Sequence, residues 1–247
     1  MISALIYEWR RLWSVRSTWI VGAIYLFIVG GLGAGPVFLV QEVNIQSWAG
    51  LYSTPSNVLA LVALSVVAAQ AFGHEYRYGL IRLTLSEYPA RERVLLAKTA
   101  ITIAYATIML VIAWAMLGVI GALAGDRVSS HVQGSTLNGS RIPSLFDVFL
   151  WTIAYCILAF SISLLARNLA LGIVLPLLLA TLIEPLLGVI NQVAKNRISW
   201  LVDNLPMTNA NNWLNMEDAG SNAGLIFAAW VIGIYLLATA RFAVKDA

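Results

Sequence analysis

Apolar residues run along this chain in unbroken stretches rather than in alternation. Six windows are long and nearly free of charge: 18–41, 56–73, 99–125, 148–166, 168–194 (interrupted once, by Glu184) and 219–240. An α-helix climbs about 1.5 Å per residue, so about 20 residues cross a hydrocarbon layer roughly 30 Å thick. In lipid the backbone must satisfy its own hydrogen bonds, and a continuous apolar run does this as a helix, whereas a barrel strand would alternate. The pattern predicts an all-α integral membrane protein, one membrane domain over 1–247, with spans at 18–41, 56–73, 99–125, 148–166, 168–192 and 221–241.

Ahead of the first span, residues 1–17 read as an amphipathic interfacial helix. Leu5, Ile6, Trp9, Leu12 and Trp13 share one arc of the helical wheel, and Glu8, Arg10, Arg11 and Ser14 fill the rest, the pattern of a helix lying flat in a headgroup layer with tryptophans as anchors. The arginines before an apolar run mimic a signal peptide, but the run from Trp19 is too long and lacks a small-residue cleavage site, so a retained span is expected. The helix either fixes the position of span one or also touches a cytoplasmic partner, and Trp9, Arg10, Arg11 and Trp13 are its candidate interfacial residues.

The connections differ in kind. Arg167 and Asn168 leave room only for a tight turn between spans four and five. Residues 126–147 are rich in Ser, Gly and Asn and read as loop, whereas 193–220 mix Trp200, Leu201, Val202, Trp213 and Leu214 with polar residues, as an interfacial or re-entrant segment would. Residues 74–98 form a long charged connection. There Leu80, Ile81, Leu83 and Leu85 interleave with Arg77, Arg82 and Thr84, so a short helix would have one apolar and one basic face, suited to a groove on another protein. Pro89 fits the first turn of a new helix running into span three. Simple topology offers a plainer account of the same charges.

Composition sharpens this picture only slightly: 60% of the 247 residues are hydrophobic and 11% charged, and the mean hydropathy is +0.81, outside the range of soluble domains. The distribution of charge is more informative. With the N-terminus inside, eleven of the 15 lysines and arginines fall on cytoplasmic segments and four, Arg127, Arg141, Lys195 and Arg197, on the other face. Both termini are then expected in the cytoplasm of a multi-pass protein of a cell membrane. Topology and anionic lipid account for the basic face, and no nucleic-acid partner is inferred.

Enzyme chemistry finds no footing. His74 and Glu75 open a zinc-type motif, but Tyr78 stands where the second histidine is needed and His131 lies on the opposite face. Cys156 sits alone in mid-span, with no second cysteine for a disulfide and no histidine partner. No Gly-x-Ser-x-Gly elbow and no phosphate-binding Gly-x-x-x-x-Gly-Lys-Ser/Thr loop occurs. Glu184, followed by Pro185, is the one acid inside a span, and at about 2.5–3.5 kcal/mol for a charge at a helix centre it should face a helix, water or cargo rather than lipid. Solvation near the outer interface is the alternative. Pro185 permits a kink one turn earlier.

Two strings carry a family resemblance. Glu8-Trp9-Arg10-Arg11-Leu12-Trp13-Ser14-Val15-Arg16-Ser17-Thr18-Trp19 resembles the opening of ABC-2-type transporter permeases, especially actinobacterial ones, the membrane subunits of ATP-binding cassette exporters. Gly73-His74-Glu75-Tyr76-Arg77-Tyr78-Gly79 through Leu85, with Arg91 and the Leu95-Leu96-Ala97-Lys98 approach to span three, is similar to the same family, as is the six-span plan. The resemblance implies a type II exporter fold whose segment Glu75, Arg77, Tyr78, Gly79, Leu80 and Arg82 seats on a cytoplasmic ATPase. It implies a bacterial plasma-membrane homodimer with two such ATPase subunits, which hold ATP and Mg while this chain binds no cofactor. It also places Glu184 and Pro185 on the dimer interface or the outer mouth of a path for an amphiphilic or hydrophobic substrate, as in multidrug or peptide efflux. A secondary transporter and a non-transporting scaffold or sensor are the alternatives.

Overall fold

The computed structural model describes residues 2–39, 46–81, 91–125, 128–129, 144–215 and 222–245. Ten helices carry the described fold: α1 (Ile2–Ser14), α2 (Arg16–Leu39), α3 (Trp48–Ser53), α4 (Val58–Arg77), α5 (Arg91–Ala124), α6 (Leu145–Ala166), α7 (Leu169–Val193), α8 (Ser199–Val202), α9 (Pro206–Asn215) and α10 (Ala223–Lys245). Six of them, α2, α4, α5, α6, α7 and α10, are long and apolar enough to cross a membrane. The chain is therefore an all-helical protein of membrane-spanning character. The one extended pairing among the described residues is a two-residue parallel ladder, Gln46 with Val128 and Ser47 with Ser129.

Local chemistry sets the helix limits. Asn57 starts α4 by accepting from the Leu59 amide, and Asn168 starts α7 by accepting from the Ala170 amide at 2.8 Å, each satisfying a donor that has no partner within its helix. Ser144 and Asp147 form a reciprocal capping box at the start of α6. This gives Asp147 a structural duty at the mouth of its span. Helix α4 continues past residue 73 to Arg77, so Glu75 and Arg77 belong to its last turn. It stops at Gly79, whose φ of +68° lets the Leu80 amide reach the Glu75 carbonyl at 2.9 Å, a closure that side-chain-bearing residues make only under strain.

Helices α4 and α6 form the mostly buried centre, and α7 is the least buried of the six spans. One core cluster gathers Tyr25, Val29, Leu64, Phe72, Tyr105, Met109 and Phe160 from α2, α4, α5 and α6. A second packs Trp151, Tyr155 and Phe227 against Met207, Ala210 and Leu214 of α9. Close approach at Gly172 joins α7 to the centre, because a Cβ there would stand 2.6 Å from Ser163 Cβ and 2.9 Å from the Ala159 carbonyl.

Two features depart from simple helical spans. Helix α7 contains a π-helical turn at Leu179–Ile183 just before Glu184 and Pro185, the local rearrangement expected where a proline removes a backbone donor. The segment after α7 is not plain loop: α8 packs on the end of α7, α9 folds back on α6 and α10, and Trp230 Nε1 donates to the Asn204 carbonyl.

Candidate functional site

At one end of the bundle the lead helix α1 meets the last turn of α4 and the start of α5. Lys98, at 1% exposure, donates from Nζ to Glu75 Oε1 at 2.6 Å, to Glu8 Oε1 at 2.7 Å and to the Ala71 carbonyl at 3.0 Å. Arg11 completes the group: it is ion-paired with Glu75, lies 3.3 Å from Glu8 Oε2 and donates to the Ala71 carbonyl at 3.1 Å. Two acids and two bases, formally neutral together, thus lock three helices. Lys98 also lies over the Phe72 ring, 5.1 Å from its centroid. A 40 Å³ cavity adjoins the group, lined by Thr18, Gln70, His74 and Thr102 among others.

This geometry reorients the lead helix. From the wheel, Glu8 and Arg11 were expected on its polar side, away from the membrane. In the structure Ala4 and Glu8 are buried with Leu12 packed beside them, while Ile6, Tyr7 and Trp9 are exposed. The reason is electrostatic: a buried ammonium at Lys98 requires a carboxylate, and turning Glu8 inward supplies one. The Trp13 ring stands edge-on to Trp9 and tilted against Trp19, at centroid distances of 5.4 and 4.9 Å, and Trp19 Nε1 donates to the Trp13 carbonyl. Arg10 is exposed.

The six residues expected to form a docking segment separate. Glu75 is buried and committed to Lys98 and Arg11, so it holds the segment from within. Arg77, Tyr78, Gly79 and Leu80 are exposed just beyond it, with the Arg77 guanidinium over the Tyr78 ring at 5.7 Å. Arg82 and Pro89 lie outside the described residues. Sequence reasoning missed Glu8 and Lys98 as partners. The available signal was a lysine flush against an uncharged window, a position that needs a carboxylate nearby.

Glu184 lies at the opposite end. It is 3% exposed, and its Oε1 accepts from the Met207 amide at 2.9 Å while Oε2 accepts from the Thr208 amide and, at 2.9 Å, from Thr208 Oγ1. The carboxylate therefore caps the N-terminus of α9, where orphan amides and the helix dipole favour an anion. Solvation is not how Glu184 is satisfied. Among the described residues no cluster of three metal-type ligands exists.

The class defined so far is a multi-pass helical membrane protein with a charge-locked junction at one end. No protein-family model matches the chain, and no curated protein matches it.

Proposed function

We propose that this chain is the transmembrane permease subunit of an ATP-binding cassette exporter of the ABC-2 type. Two copies, with two cytoplasmic ATPase subunits that carry ATP and Mg, form the path for an amphiphilic or hydrophobic substrate. The lead-helix end faces the bacterial cytoplasm, as the excess of lysine and arginine there favours. Span α7, the least buried, offers the apolar flank against which the second copy closes.

The observation that carries this reading is the charge lock directly behind the exposed Arg77–Leu80 hook. A force applied to the hook enters α4 and, through Glu75, Lys98, Glu8 and Arg11, reaches α5 and α1 without passing through a flexible joint. Such a junction converts the closing of a partner into a joint tilt of three helices, which is what a chain without an engine of its own requires. The resemblance of the 8–19 and 73–85 strings suggests the family, and the lock behind the hook supports reading this end of the chain as its coupling element.

The test is purification of the tagged full chain from its native membranes. A cassette ATPase is expected to accompany it, and Arg77→Glu is expected to reduce the recovered ATPase at least several-fold without lowering the amount of inserted chain. Equal recovery with Arg77→Glu counts against the docking assignment. Proton-driven uptake by the purified chain alone favours the secondary-transporter reading instead.

A further inference from the structure

Between α6, α9 and α10, at the end away from the charge lock, lies a cavity of 530 Å³. The two spans that flank it run side by side in the same direction: Trp151 meets Phe227 at 5.0 Å between ring centroids, and Phe160 meets Tyr235 at 6.5 Å. The lining therefore comes from two matched stretches, 150–157 on α6 and 222–232 at the start of α10. At about 1.5 Å per residue the longer one extends roughly 15 Å, half of a hydrocarbon layer and so the depth of one leaflet. Ala154 and Ala228, one from each span, line it with small side chains. Leu150, Leu225 and Ile232, which also line it, are 37%, 71% and 56% exposed, so the cavity opens on the flank of the bundle.

Its chemistry is apolar except at one end. Among the described residues that line it, only Asn222 and Trp213 carry a polar side-chain group, and none is ionisable. Both belong to the α9 end. Asn222 immediately precedes α10, and Trp213 of α9 packs its ring on Gly224, where a Cβ would stand 3.3 Å from Trp213 Cδ1. Neither the Asn222 side chain nor the Trp213 indole N–H has a hydrogen-bond partner among the described residues. Water occupies a cavity only where it finds about two to four polar partners, which the aliphatic stretches along α6 and α10 do not offer. A charged occupant would find no counter-charge. Apolar walls with one or two placed polar groups instead suit a hydrocarbon chain that ends in an uncharged oxygen.

We propose that this cavity binds a neutral single-chain lipid, its hydrocarbon chain lying between α6 and α10 and a hydroxyl or ester oxygen of its head held by Trp213 and Asn222. The assignment goes beyond the exporter reading. The site lies within one copy of the chain and needs neither an ATPase nor a second copy.

Photolabelling of the full chain in detergent, with a monoacylglycerol that carries a diazirine in its acyl chain, tests this when the labelled peptides are read by mass spectrometry. Labelling at 150–157 and 222–232 is expected to saturate and to fall about tenfold under excess unmodified monoacylglycerol, whereas the exposed Leu182 and Val189 of α7 take label without saturating. That comparison needs no variant. Ala154→Phe and Ala228→Phe each fill the void and should lower the saturable labelling about fivefold or more, while Cys156, buried in α6, stays closed to maleimide as long as the fold is intact. Trp213→Phe keeps a ring but removes the donor, and should raise the half-saturating concentration about threefold or more, the scale of one hydrogen bond. Labelling at 150–157 and 222–232 that the competitor does not reduce overturns the assignment, and so does undiminished labelling in the phenylalanine variants at 154 and 228. An absence of label at these peptides overturns it as well, and would mean that protein covers this face. An unchanged half-saturating concentration in Trp213→Phe overturns the placement of the head.

Discussion

Lys98 Nζ lies 2.6 Å from Glu75 Oε1, joining the start of α5 to the last turn of α4 in a fully buried ion pair. Glu8 shares the same ammonium from α1. Buried ion pairs gain little stability over an apolar replacement of the whole set, but removing one partner leaves an uncompensated charge and costs about 3–5 kcal/mol. The arrangement therefore fixes where three helices meet more than it strengthens the fold.

Lys98→Met should destabilise the protein strongly, because Glu8 and Glu75 then share only Arg11. Cys156 is the single cysteine of the chain and is buried, so its reaction with a fluorogenic maleimide during heating in detergent reports unfolding. A clear fall in midpoint is expected for Lys98→Met, with substantial recovery in Lys98→Met/Glu75→Gln, which restores formal neutrality. An unshifted midpoint in the single variant would show that the cluster is not buried in the folded protein.

Glu8→Gln removes one of the ties of α1 while keeping its size. Charge-assisted hydrogen bonds contribute roughly 1.5–3 kcal/mol, so amide exchange across α1 should accelerate about tenfold or more. Exchange in α9, at the opposite end, should not change. Acceleration at both ends would point to global loosening instead of release of the lead helix.

Replacing Glu184 should free α9. Glu184→Ala leaves the Met207 and Thr208 amides without their acceptor, and faster amide exchange is expected over Pro206–Asn215. Glu184→Gln keeps one carbonyl oxygen and should fall between Ala and the unaltered protein. If α9 exchanges at the same rate in all three, the cap makes no contribution there.

Glycine contacts give a paired test. Gly172→Ala must displace Ser163 or the Ala159 backbone, and overpacking of this kind costs about 1–3 kcal/mol, whereas a Cβ at Gly188 meets nothing within 4 Å. The maleimide midpoint should drop for Gly172→Ala and stay level or rise for Gly188→Ala. A reversed order would contradict the packing of α7 on α4 and α6.

Much of the fold was legible because lipid imposes a one-dimensional rule: length and lack of charge were enough to find six apolar helices. Tight turning at Arg167 and Asn168 could also be seen, since nothing else separated two long windows. Side-chain partnerships were less accessible. Glu8 looked solvent-facing because a helical wheel ranks residues by average hydrophobicity and cannot see that Lys98, ninety residues on, arrives beside it and shares a buried ammonium between Glu8 and Glu75. Glu184 stood out in the sequence as an acid in need of a partner; its partners are two backbone amides and the Thr208 hydroxyl, which no sequence spacing announces. The 193–220 segment read as interfacial from its tryptophans; of its two helices, α9 is fixed by Glu184 and by packing of Met207 and Leu214 that only the folded chain brings together.

The central claim is that the exposed hook at 77–80 and the lock behind it move as one body when a bound ATPase changes state. Amide exchange in the full complex, compared between nucleotide-free and ADP–vanadate-trapped forms, measures this most directly. The account predicts that residues 2–14, 71–81 and 91–102 change together, and that Glu8→Gln uncouples the first of these from the other two. A change confined to 71–81, with α1 and the start of α5 unaffected by nucleotide, would contradict it.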